Sequence, residues 1–143
     1  MPPPTGRPIG LHLARTARSV SRAFDAALIG AGGSTPSWLV MISLKTRRLG
    51  NQQELADAIG IRGATLTHHL NALEADGLVR RRRDPGNRRI QQVELTEAGE
   101  AAFHRMRRAA AAFDQRLRGG LTDDEIGTLA RLLDRLAANV GSD

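Results

Sequence analysis

Between Leu55 and Leu95 the apolar rhythm of the chain changes from helical to strand-like, and this change restricts the fold more than any other feature. Asn51-Gln52-Gln53-Glu54 has the cap-x-x-Glu form of a capping box, in which cap side chain and glutamate each accept from the other's backbone N–H. A short helix through Leu55, Ala56 and Ile59 follows, and Gly60 ends it. After Gly60-Ile61-Arg62, a second run carries Leu66, Leu70 and Leu73 on one face and is closed by Gly77. Its other face offers Thr65, Thr67, His68, His69 and Asn71. Two short helices joined by a glycine-containing turn make a helix-turn-helix. Small donors and acceptors, in place of the usual Glu/Lys mixture, suit the reading of base edges.

Leu78-Val79-Arg80-Arg81 then reads as the entry to a strand, and Asp84-Pro85-Gly86-Asn87 supplies dense turn chemistry. In Ile90-Gln91-Gln92-Val93-Glu94-Leu95, Gln91, Val93 and Leu95 alternate with Gln92 and Glu94, as in a half-buried strand. The formal charge of +6 is concentrated here: Arg80, Arg81, Arg82, Arg83, Arg88 and Arg89 share one short window with a single acid, Asp84. Guanidinium matches phosphate oxygens and base edges well. Charge alone would equally suit a solvated hairpin or an acidic protein or lipid partner. Placed directly after a helix-turn-helix, the hairpin reads as a wing whose tip can enter a narrow minor groove.

Amphipathic helices flank this block. Leu13, Ala17, Val20, Phe24, Leu28 and Ala31 recur at steps of three and four, predicting a helix over Ile9 to Ala31, with Gly30, Gly32 and Gly33 as the stop. Ser34-Thr35-Pro36 predicts the next start, a hydroxyl cap followed by proline. Trp38, Leu39, Met41 and Ile42 form that helix's buried side, and it should end near Leu49-Gly50. After the wing, Thr96 caps a helix carrying Phe103, Met106, Ala110, Phe113 and Leu117, which Gly119-Gly120 breaks. Thr122-Asp123-Asp124-Glu125 is a second capping box, opening a helix with Ile126, Leu129, Leu133, Leu136 and Val140 on one seam. Such seams require other helices against them. The winged module uses its own apolar residues internally, so the first helix is expected to pack with the last two and with their copies in a second chain.

Other classes fit poorly. A chain of 143 residues with 41% hydrophobic content can build one ordinary core, and no apolar run is long enough to cross a bilayer. Residues 1–8 read as a disordered arm and not as a signal peptide, which makes the cytoplasm the default location. The absence of cysteine rules out disulfides and thiolate metal sites. No nucleophile elbow, phosphate loop after a strand or metal-ligand spacing is present, so neither an enzyme nor a cofactor is expected. His68 and His69 diverge by about 100° on a helix and do not easily share an ion, while His12 and His104 are isolated, so no metal site is expected.

The order of these elements resembles the MarR family of bacterial regulators. The matching blocks are Asn51-Gln52-Gln53-Glu54-Leu55-Ala56, Ala64-Thr65-Leu66-Thr67-His68-His69-Leu70, Leu73-Glu74-Ala75-Asp76-Gly77-Leu78-Val79-Arg80-Arg81, Asp84-Pro85-Gly86-Asn87-Arg88-Arg89 and Leu95-Thr96-Glu97-Ala98-Gly99. The resemblance covers roughly Ile9 to Val140, and its most specific part is the wing joined to the last block. It implies a homodimer on an inverted-repeat operator in double-stranded DNA, usually as a repressor, often released by a small anionic or aromatic ligand. Two positions depart from the family pattern: Asn87 stands where an aspartate is common, and His68 where an arginine is frequent.

The expected fold is therefore mainly α with a small β-hairpin wing. Residues 1–8 form the arm, 9–33 the N-terminal helix of the dimerisation region, 34–95 the winged helix-turn-helix and 96–143 the C-terminal dimerisation helices. Candidate DNA contacts are Arg62, Thr65, Thr67, His68, His69, Asn71, Arg82, Arg88 and Arg89. Of Arg80 to Arg83, alternate residues should face phosphate while the others cover the module or pair with acids. Candidate ligand contacts are Arg15, Arg18, Arg22 and Trp38, with core packing the competing role for Trp38. A winged protein that binds DNA without sequence preference, or binds another protein, is the alternative function.

Overall fold

A computed structural model describes residues 2, 5–47 and 52–141, with the side chains of 47 and 88–91 outside that description. The elements run α1 (Ile9–Gly30), α2 (Thr35–Arg47), α3 (Gln52–Ile59), α4 (Gly63–Ala75), β1 (Val79–Asp84), β2 (Asn87–Leu95), α5 (Glu97–Leu117) and α6 (Asp123–Val140). The chain divides into two compact units, Met1–Ala110 and Ala111–Asp143, with α5 running from the first into the second. The mainly helical architecture with a two-stranded hairpin is the one the apolar rhythm predicts.

In the first unit, one apolar cluster holds all the elements from α1 to the first half of α5. Leu28 of α1, Val40 and Met41 of α2, Leu55 of α3 and Leu66, Leu70 and Leu73 of α4 are buried together. Val79 and Val93 close it from the hairpin, and Ala102, Phe103 and Met106 from α5. Burying each such side chain contributes roughly 1.5–3 kcal/mol. The Leu66–Leu70–Leu73 spacing therefore decides which side of α4 is turned away from the core.

Local chemistry sets the element ends. Ser34 caps α2 reciprocally with Ser37: the Ser37 backbone N–H donates to Ser34 Oγ at 3.2 Å, and that of Ser34 donates to Ser37 Oγ at 2.8 Å. Thr96 caps α5, accepting from the Gly99 backbone N–H at 3.0 Å while its hydroxyl donates to the Gly77 carbonyl at 2.6 Å. Gly99 packs so closely that a Cβ there would lie 2.0 Å from the Leu78 carbonyl oxygen. The start of α5 is thereby fixed against the turn between α4 and β1. The expected end of α2 near Leu49-Gly50 and the Asn51 cap lie outside the described residues.

The hairpin differs from expectation at one end. β2 begins at Asn87, three residues before Ile90, because Asp84 pairs with Asn87 across the turn, with a register irregularity between Arg83 and Asp84. The Gly86 backbone N–H donates to Asp84 Oδ1 at 2.8 Å, which tightens that turn.

In the second unit, α6 opens with the predicted capping box. The Glu125 backbone N–H donates to Thr122 Oγ1 at 3.1 Å, and the Thr122 N–H donates to Glu125 Oε1 at 2.9 Å. None of the residues of α6 is buried, and Leu129, Leu132 and Leu133 are exposed, as are Leu117 and Leu121 before it. No single helix among the described residues is long and apolar enough to cross a membrane.

Candidate nucleic-acid interface

With Leu66, Leu70 and Leu73 in the core, the outward face of α4 is set by geometry. Thr65, His68 and Asn71, three residues apart, are exposed there, and Arg62 stands exposed at the N-cap without capping the helix. The N-terminal part of such a helix is the part that meets base edges when a recognition helix docks in a major groove.

The remaining polar residues of α4 are turned to its flanks. Thr67 Oγ1 donates to the Gly63 carbonyl at 2.9 Å and accepts from Gln52 Nε2 of α3 at 2.6 Å, so its hydroxyl is committed within the helix-turn-helix. His69 is half-buried and lines a cavity of about 210 Å³ with Gly33, Ser34, Ser37, Leu73 and Asp76. The single polar face expected from sequence is thus three separate surfaces. The cause is the 100° step of the helix, which puts Thr67 beside α3 and His69 beside the start of α2.

The hairpin sorts its arginines by parity. Pairing sets Val79 against Leu95, Arg80 against Glu94, Arg81 against Val93 and Arg82 against Gln92. Side chains alternate between faces along each strand. Arg81 therefore shares the inner face with buried Val79 and Val93, and its side chain is only 15% exposed. Its Nη2 donates to Glu74 Oε1 at 3.0 Å and to Asn71 Oδ1 at 2.6 Å, and its backbone N–H donates to Glu74 Oε2 at 3.1 Å. These bonds, the side-chain one first and the backbone one second, hold the Glu74 carboxyl below its ordinary pKa. Arg80 and Arg82 stand on the outer face, 57% and 63% exposed, with Glu94 between them. Arg82 Nη2 donates to Glu94 Oε1, and Arg80 Nε lies 3.5 Å from the same oxygen.

Two candidate contacts thus carry a second engagement. Asn71 faces outward but its carbonyl already accepts from Arg81, and Arg82 is ion-paired to Glu94. The side chains of Arg88 and Arg89 lie outside the described residues, while their backbone belongs to β2. Arg83 and Asn87 are exposed near the turn.

Of the ligand candidates, the three arginines share an exposed face and Trp38 lies apart from them in the core. Arg15, Arg18 and Arg22 are exposed on α1, and none lines the cavity beside His69. Trp38 is a core residue, 8% exposed and stacked on Phe103 with ring centroids 5.7 Å apart. Its indole is spent on packing, the competing role.

The sequence did not single out Gln52, Glu74 and Glu94, while Arg80 stood only among the alternating arginines Arg80 to Arg83. Counting the antiparallel register outward from the Asp84–Asn87 pair would set Arg80 against Gln91, but the irregularity between Arg83 and Asp84 shifts β2 by three residues and brings Glu94 there instead. No local pattern points from Gln52 to Thr67, fifteen residues away.

Comparison with known proteins agrees with this geometry. The model of the MarR family matches residues 34–91, the stretch from the Ser34 cap into β2. A regulatory protein assigned to the hcr operon of Thauera aromatica is 32% identical over 90% of this chain and 78% of its own length. A mutant MarR of E. coli complexed with operator DNA is 25% identical, covering 90% of this chain and 93% of that one with a TM-score of 0.80. The repressor CouR on a 23-mer DNA duplex is 27% identical over 90% and 92% of the two chains, TM-score 0.80. CouR of Rhodococcus jostii RHA1 bound to p-coumaroyl-CoA is 26% identical over 94% and 95%, TM-score 0.74. With a helix-turn-helix that leaves Thr65 and His68 open, an arginine-bearing wing behind it and these relatives, the chain belongs to the MarR family and is a DNA-binding transcriptional regulator.

Proposed function

We propose that the protein is a sequence-specific repressor that binds an inverted-repeat operator as a homodimer and is released by a small aromatic or anionic ligand. The observation that carries specificity is the outward face of α4, where Arg62, Thr65 and His68 are exposed beside the wing and free of ion pairs among the described residues. Dimerisation is supported by α6, whose exposed Leu129, Leu132 and Leu133 call for a covering surface that a second copy can supply. The ligand class is supported by one relative, the CouR bound to p-coumaroyl-CoA. Arg15, Arg18 and Arg22 recur on one exposed face of α1 and offer charge to a carboxylate or phosphate. The protein acts in the cytoplasm and catalyses nothing in this reading.

A mobility shift with duplex DNA from upstream of the gene, repeated with aromatic acids, phenols and their CoA thioesters, is the test. Retention of that duplex over a scrambled one, and its release by one compound class, supports the reading. Equal retention of both duplexes favours the alternative of binding without sequence preference. Retention of neither ends both.

A further inference from the structure

We infer that Arg80 and Arg82 form a backbone-phosphate site on the outer face of the wing, and that Glu94 occupies it as an internal competitor which restrains sequence-independent DNA binding. The inference rests on the DNA-binding reading and extends it to Glu94, a carboxylate with no role so far. The two arginines are two residues apart on one strand face, so their Cα atoms are about 7 Å apart. That separation is of the same order as the distance between successive phosphates along one DNA strand. Both side chains are more than half exposed and both turn to one carboxylate oxygen. Carboxylate and phosphate oxygens present the same acceptor chemistry to a guanidinium. Glu94 therefore occupies the position a phosphate oxygen would take.

The fold has little need of Glu94 there. Exposed ion pairs contribute little to stability, and the hairpin is already held by its ladder and by Val79 and Val93 on the inner face. The carboxylate instead lowers the charge of the trio from +2 to +1 on the surface that faces away from the core. An approaching phosphate must displace Glu94 or tolerate its repulsion. The cost falls on backbone contacts, which are common to every sequence, and leaves the contacts of α4 untouched.

Glu94→Gln, which keeps the shape and removes the charge, tests this. Its affinity and that of the wild type are measured by fluorescence anisotropy on the upstream duplex and on a scrambled duplex, from 50 to 300 mM salt. The variant should bind both duplexes more tightly, by about three- to tenfold at the lowest salt. The slope of log affinity against log salt should steepen by about 1, as expected for one more released counterion. Adding Arg80→Gln and Arg82→Gln to the variant should abolish the gain. An unchanged slope, or weaker binding by Glu94→Gln on either duplex, overturns the inference while wild-type binding stands. Failure of the wild type to bind any duplex instead overturns the DNA-binding reading and this inference with it.

Discussion

Arg81 of β1 reaches back to Glu74 of α4 and holds its carboxylate at both oxygens, one by the guanidinium at 3.0 Å and one by the backbone N–H at 3.1 Å. The same guanidinium also binds Asn71, one turn earlier on the helix. The strand that opens the wing is thus tied to the helix that presents Thr65 and His68. Helix and wing are thereby held as one unit, by a clasp on the side of β1 that faces the core.

The clasp predicts a pH dependence of stability. Arg81 holds the Glu74 carboxyl below its ordinary value of 4.5, so the stabilisation is fully present above that pH and is lost as pH falls through the lowered folded value. Thermal melts of wild type and Glu74→Gln between pH 3 and 7 should show a gap at neutral pH that closes in acid. A gap of constant size across that range would contradict the clasp.

His68 and His69 should separate in a binding assay despite being neighbours. His68 is exposed on the outward face, whereas His69 is half-buried against the cavity below α2. His68→Ala should cost about 1–3 kcal/mol on the operator and little on random DNA. His69→Ala should leave the preference between the two duplexes nearly unchanged. Equal losses of preference would mean that α4 is rotated differently on DNA.

Two glycines predict opposite signs. Gly99→Ala drives a methyl group into the Leu78 carbonyl at 2.0 Å, a contact with backbone that cannot swing aside, and should destabilise by about 1–3 kcal/mol. Gly127→Ala in α6 meets nothing within 4 Å and should stabilise by about 0.5–1 kcal/mol through lost chain freedom. Chemical denaturation of both variants checks the pair.

Thr122→Ala removes the oxygen that accepts from the Glu125 N–H and should cost about 1 kcal/mol. Because α6 is proposed to hold two copies together, the loss should appear as a lower melting temperature and as weaker dimerisation in sedimentation. A change in neither would place the end of α6 outside the stabilised core.

What could be read from sequence follows the physics of each feature. The apolar steps of α4, the Thr122–Glu125 box, the Thr96 cap and the alternation in β2 are local, and the structure contains them where expected. The wing was legible from the hairpin's place directly after the helix-turn-helix, and the resemblance added the family. Long-range polar pairing was not readable: Thr67 turns to Gln52, Arg81 to Glu74 and Arg82 to Glu94 because of how elements pack and how strands register. Residue type alone could not separate the arginines available to phosphate from the one folded against α4. Trp38 had two roles in sequence, and the stacked ring of Phe103 assigns it to packing.

In the proposed function, exposed groups of α4 read sequence while two copies share one duplex. Analytical ultracentrifugation of a fluorescent upstream duplex, titrated with protein in the presence of excess scrambled DNA, tests both halves at once. The expected result is a complex of two chains per duplex that persists at a thousandfold excess of competitor, as typical specific binding requires. Sedimentation of the labelled duplex as free DNA under that excess, or as a complex with a single chain, would contradict it.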